Sequence, residues 1–139
     1  MIFPNLRKAI ACAVTILCVT IAMAGMSFAE VKKASDIRIV FVTHGEASDT
    51  YWSVVKNGML DAQKTMGSVV EYFAPDVWDI VKMSNLMDTA IASKPDGLVV
   101  TIPDAQAIGS KVKKAADAGI PVIVIDTGED QVAATGSRF

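Results

Sequence analysis

The sequence predicts an α/β fold, a parallel sheet with helices on both faces. Three observations carry that reading. Four short runs are rich in β-branched residues, three segments space their apolar residues at helical intervals, and the two kinds alternate along the chain. Repeated strand–helix–strand units cross over right-handedly, which makes the strands parallel neighbours. A length of 139 residues supplies one domain at most.

After a polar lead-in at 31–36, residues 37–43 (IRIVFVT) form the first strand and residues 69–74 (VVEYFA) the second. Residues 97–101 (GLVVT) and 121–126 (PVIVID) are the third and fourth, apolar nearly throughout, which suits strands covered on both faces. Val55, Met59, Ala62 and Met66 step by four, three and four along the first helix, with Gly67 placed to stop it. Ile80, Met83, Met87, Ala90 and Ile91 mark the second, opened near Asp79 and closed before Pro95. Asp104 is positioned to cap the third, whose inner face is Ile108, Val112 and Ala115; Gly119 ends it and Pro121 forbids continuation. Met59, Met66, Met83 and Met87 therefore read as core residues. Lys111, Lys113 and Lys114 read as a solvated helix face.

The mean hydropathy of +0.41 is high, and the apolar residues are concentrated at the front. Arg7 and Lys8 precede a charge-free apolar run at 9–24, followed by small residues at Ser27 and Ala29. This is the pattern of a secretory signal peptide over residues 1–29, with the mature chain at 30–139. A membrane anchor is the competing reading, but a span needs about 20 apolar residues. The membrane is thus expected to be met only through the leader, before cleavage. Both cysteines, Cys12 and Cys18, fall inside it, so the exported part carries neither a disulfide nor a thiol. Loss of Arg7 and Lys8 takes two from 13 basic residues set against 15 acidic ones. A mildly acidic chain does not bind nucleic acid by bulk charge.

Ligands of open α/β sheets bind beyond the carboxyl ends of the strands. The loop after the first strand holds Thr43, His44, Gly45, Glu46 and Asp49, then the adjacent aromatics Tyr51 and Trp52. Flat aromatic faces beside a carboxylate suit a polyhydroxylated ring, which stacks its C–H faces and donates its hydroxyls. Asp49 serves equally as a helix cap, with Tyr51 or Trp52 packing on the sheet as a staple. The fourth strand delivers Asp126 to the same end, as a ligand contact or as a solvated loop residue. His44 with Asp49 or Asp126 would be the only base and orienter for an enzyme. The chain has no Gly-x-Ser-x-Gly elbow, phosphate loop or His-Glu-x-x-His zinc motif, so neither a catalytic residue, a metal nor a cofactor is expected.

Three pieces in order carry a family likeness: residues 42–58 with Asp49, Thr50, Tyr51 and Trp52; residues 94–104 (KPDGLVVTIPD); and residues 118–126 (AGIPVIVID). The chain from about Ile37 to Asp130 resembles the ribose-binding-like periplasmic sugar-binding proteins of bacterial ABC transporters, of the type I binding-protein fold. The resemblance implies a flavodoxin-like half of a two-lobed protein in the periplasm, a sugar or polyol as ligand, and a membrane permease as partner. It implies that Tyr51 and Trp52 are the paired aromatics sandwiching the sugar, Asp49 the preceding polar contact, and Asp126 the carboxylate for sugar hydroxyls. His44 and Thr43 line the site on the same reading. Thr50 stands where the family often has Pro, and Thr127 where it often has Arg. The likeness fades past Asp130, which reads as a truncated first lobe, weak or inactive alone and with apolar sheet surface uncovered. A standalone exported binding or signalling domain of this fold is the alternative, and a small hydrolase the remoter one.

Overall fold

A computed structural model describes residues 31–46 and 49–138. The expected leader at 1–29 lies outside the described residues. The strands are β1 (Arg38–Val42), β2 (Val69–Phe73), β3 (Gly97–Val100) and β4 (Val122–Val124); the helices are α1 (Thr50–Met66), α2 (Ile80–Ala92), α3 (Ser110–Asp117) and a short α4 (Val132–Thr135). All strand pairs are parallel, in the order β2-β1-β3-β4. The predicted strands and three predicted helices are all present.

Three aspartates open the helices by the mechanism their positions imply. Asp49, Asp79 and Asp104 accept hydrogen bonds from the backbone N–H groups of Tyr51, Lys82 and Ala107, at 2.8, 2.9 and 2.7 Å. The turn after Asp104, Ala105–Gly109, is wound wider than an α-helix before α3 takes the regular form.

Alternation along the strands sorts their side chains onto two faces. Val40, Val42, Leu98, Val100, Val122 and Val124 face one way and meet Met83, Met87, Ile108, Val112 and Ala115 of α2 and α3 and the turn before α3 in the main core. The helix α1 packs with β2, and its buried residues Trp52 and Met59 stand apart from that core, which places it over the other face. Among the described residues that second face is incompletely covered. Ile123 of β4 is 48% exposed, so the expectation that the fourth strand is covered on both sides fails.

The core assignment fails for Ala62 and Met66 as well, since both are exposed. The reason is length: 17 helical residues run about 25 Å, whereas a five-residue strand runs about 17 Å, so the last turns of α1 overhang the sheet. The lysines of α3 are paired as well as solvated. Lys111 and Lys114 reach Asp88 at 2.5 and 3.3 Å, and Lys113 reaches Asp117 at 2.8 Å. Lys111 and Lys114 hold the Asp88 carboxyl below its ordinary range, the hydrogen bond from Lys111 contributing most.

Polar locks close the amino end of the sheet. Asp96 accepts from the Arg38 backbone N–H at 2.9 Å and pairs with Lys32, while the Arg38 guanidinium donates to Glu71 at 2.9 Å and to Ser93 Oγ at 3.0 Å. The opposite, carboxyl end is therefore left for other contacts. Beyond α4 the chain returns to the sheet: Arg138 N–H donates to the Val122 carbonyl at 2.9 Å and Val124 N–H to the Arg138 carbonyl at 2.5 Å. This parallel bridge begins a fifth position beside β4.

Candidate functional site

The strand order reverses direction between β1 and β3. The chain leaving β1 turns toward β2 on one side, and the chain leaving β3 turns toward β4 on the other, so a crevice opens between the two loops. In register, Val42 pairs with Val100 and Val100 with Val124. The residues that follow these three valines form the floor of the crevice.

His44 and Thr101 bridge it. The buried Thr101 hydroxyl accepts the His44 backbone N–H at 3.1 Å and lies 2.9 Å from the ring Nδ1. The other ring nitrogen, Nε2, is 3.9 Å from Asp126 Oδ2. Asp126 Oδ1 accepts from the Tyr51 hydroxyl at 2.9 Å. Three of the predicted site residues, His44, Tyr51 and Asp126, are thus brought together from the first and fourth loops.

Asp126 holds its place at a conformational cost. Its φ of 65° lies in the left-handed region, sparsely used by residues other than glycine but tolerated by Asp, whose short polar side chain bonds locally. Thr127 follows with Oγ1 buried and without a partner among the described residues.

Trp52 forms the wall. It is 6% exposed and meets the edge of His44 at 5.0 Å and 79°, and that of Tyr51 at 5.1 Å and 87°. The two adjacent aromatics are perpendicular, so they make an L-shaped surface of which Tyr51, 54% exposed, is the accessible arm. Gly45 explains how the indole is covered. A Cβ there would come within 2.1 Å of the ring, so only glycine lets the backbone pass so close.

The remaining two predicted residues are engaged elsewhere. The Asp49 carboxylate caps α1. Thr43 is buried and its hydroxyl pairs with Tyr72 at 2.8 Å. Beside Trp52 lies a small polar hollow of about 130 Å³, open to solvent and bordered by Glu46, Ser53, Lys56 and Tyr72. Among the described residues no group of three His, Cys, Asp or Glu side chains is placed to hold a metal ion. Sequence reasoning missed Thr101 and Tyr72. A signal for Thr101 was present, since a hydroxyl residue ends an apolar strand beside Thr43.

Burial lowers the His44 pKa from its ordinary value, against an opposing pull from Asp126. The bond to Asp126 raises that of Tyr51, and burial raises that of Tyr72, so both phenols stay protonated. For His44 the linkage has a definite sign. Its contribution to stability is complete above the unfolded value of about 6.5 and is lost as pH falls through the lower folded value. Urea unfolding of the wild type should show this acid-side loss, and His44→Gln should lack it. Parallel pH curves for the two would remove the assignment.

A family model for the periplasmic binding protein domain matches residues 39–139. The chain belongs to the periplasmic binding protein family. The match continues past Asp130, the expected limit of the likeness, and takes in α4 and the bridge at Arg138. This periplasmic binding protein chain is similar, at 31% identity over 78 residues, to a protein named as rhizopine-binding from Rhizobium meliloti, covering 56% of this chain and 25% of the relative. It is similar at the same identity to the Escherichia coli ABC transporter periplasmic-binding protein YphF, covering 55% of this chain and 24% of that one. Among solved structures, a carbohydrate transporter of Acidothermus cellulolyticus in complex with myo-inositol superposes with a TM-score of 0.67 at 34% identity, over 73% of this chain and 35% of that one. The arabinose-binding protein AraP of Geobacillus stearothermophilus gives 0.62 at 28%, over 73% and 33%. The chain spans about a quarter of the curated relatives and about a third of the solved ones. Named relatives of this kind are solute-binding proteins and not enzymes, which sets the hydrolase alternative aside. The family implies a periplasmic location.

Proposed function

We propose that this chain supplies one lobe's share of a sugar or polyol site in an ABC transporter solute-binding protein. The observation that carries the reading is the grouping of Asp126, His44 and Tyr51 at the topological switch point of a chain that belongs to the family. Asp126 accepts ligand hydroxyls, His44 presents its ring edge, and Tyr51 offers an exposed aromatic surface for C–H faces. Trp52 stiffens the wall behind them. Asp49 stands at the lip as cap, and Thr43 acts through Tyr72. Two neighbouring structures, one in complex with myo-inositol and one an arabinose-binding protein, support the ligand class. Residues 1–29 act as the export leader, and a membrane permease is the partner of the complete two-lobed assembly.

Affinity follows from the number of contacts. A micromolar complete site is worth about 8 kcal/mol, and half of its contacts leave about 4, or millimolar binding. Closure of two lobes, which buries the ligand and is selected by the transporter, needs both. Isothermal titration of the mature chain against pentoses, hexoses and inositols should give millimolar binding that Asp126→Asn abolishes. Submicromolar binding by the monomer would sink the half-site argument, and indifference to Asp126→Asn would sink the site.

A further inference from the structure

The hydrogen-bond inventory of Thr101 determines which nitrogen of His44 carries the proton. The Thr101 side chain is buried, and its hydroxyl has one proton to donate and two lone pairs to fill. One lone pair takes the His44 backbone N–H, a contact that is donor-only and leaves no choice. The remaining neighbour within reach among the described residues is His44 Nδ1 at 2.9 Å. If Nδ1 carried the proton, Thr101 would accept twice and its own buried O–H would point at no acceptor. A buried donor left unpaired costs about 1–3 kcal/mol. If Nδ1 is bare, the O–H donates to it and every group is satisfied. The proton then sits on Nε2, the nitrogen that faces Asp126 Oδ2 at 3.9 Å.

We infer that Thr101 is a positioning residue that holds His44 as the Nε2–H tautomer, so that ring and Asp126 carboxylate together seat one alcohol hydroxyl, which accepts from Nε2–H and donates to Oδ2. The 3.9 Å separation is longer than a direct hydrogen bond and short enough for a single oxygen to bridge. A ligand that is deoxygenated or O-methylated at that position cannot fill both roles. The ligand half of this inference rests on the proposed solute-binding function, whereas the tautomer half does not. Burial keeps the ring neutral near physiological pH, which the tautomer needs.

The chain has a single histidine, so imidazole nitrogen signals have one source. Long-range proton–nitrogen correlation spectra of the ¹⁵N-labelled, ligand-free protein, recorded above the ring's titration, read the tautomer directly. We expect a bare-nitrogen shift at Nδ1 and a protonated-nitrogen shift at Nε2. Thr101→Val should narrow the gap between them as both tautomers become populated, and Thr101→Ser should restore it; Thr101→Ala supplies a second hydroxyl-free variant should valine prevent folding. A proton on Nδ1 in the wild type, or an unchanged gap in both hydroxyl-free variants, would overturn the inference. Because no ligand is present, failure to bind any sugar leaves these spectra able to decide, and the two ideas fail separately.

Discussion

Trp52→Ala should destabilise the fold by about 3–5 kcal/mol, the range for emptying a buried aromatic site. The indole is 6% exposed, carries Gly45 on one side, and braces both His44 and Tyr51 edge to face. Its loss removes the largest apolar body under the site, and neither neighbour can collapse into the gap without abandoning Asp126 or Thr101. The protein has two tryptophans, and the other, Trp78, is 59% exposed. In a Trp78→Phe background, fluorescence therefore reports Trp52 alone. Its emission should be that of a buried indole and should shift to the red only on unfolding. A loss of stability below about 1 kcal/mol, with solvent-exposed emission from the native state, would mean that the ring faces the cleft and stacks on ligand.

Gly128→Ala is the second large effect, at about 2–6 kcal/mol. Two costs add. Gly128 has φ 98°, where an L side chain costs about 1–3 kcal/mol, and a Cβ there would lie 2.4 Å from the Ile102 Cβ and 3.1 Å from its carbonyl oxygen. Overpacking against a buried neighbour costs a further 1–3 kcal/mol or so. The Ile102 side is fixed, since Ile102 is 4% exposed and its N–H donates to the Thr127 carbonyl at 3.0 Å. Gly119→Ala separates the two costs. It has φ 81° but nothing within 4 Å of the new Cβ, so it should lose only the backbone part, about 1–3 kcal/mol. Equal losses in denaturant melts of the two variants would show that the Ile102 contact contributes nothing. The relaxed loop in Gly128→Ala should also release Asp126, two residues away, and weaken sugar binding beyond the stability loss.

Much of the fold was legible because it is written locally. The caps at Asp49, Asp79 and Asp104, and the apolar spacing of Met83, Met87, Ile108, Val112 and Ala115, depend on neighbours within four residues. Met66 and Ala62 follow the same spacing and are exposed, because periodicity states which face a residue occupies and not how far the covering sheet extends. Ile123 is apolar at the right place in its strand and is half bare, because what covers a strand belongs to another element. The candidate site divides in the same way. His44, Tyr51, Trp52 and Asp126 could be named from their loops, while Thr101 and Tyr72 emerged only as partners.

By itself, then, the sequence determined the kinds of element, their ends, and the loops that carry polar and aromatic side chains. Tertiary structure decided which of those side chains meet. The order β2-β1-β3-β4 sets His44 against Thr101 across 57 residues and Tyr51 against Asp126 across 75. Such contacts depend on which strands are neighbours, and helical or strand periodicity carries no record of that choice. The buried Trp52 and the left-handed turn at Asp126 hold the cluster together only once the sheet has formed.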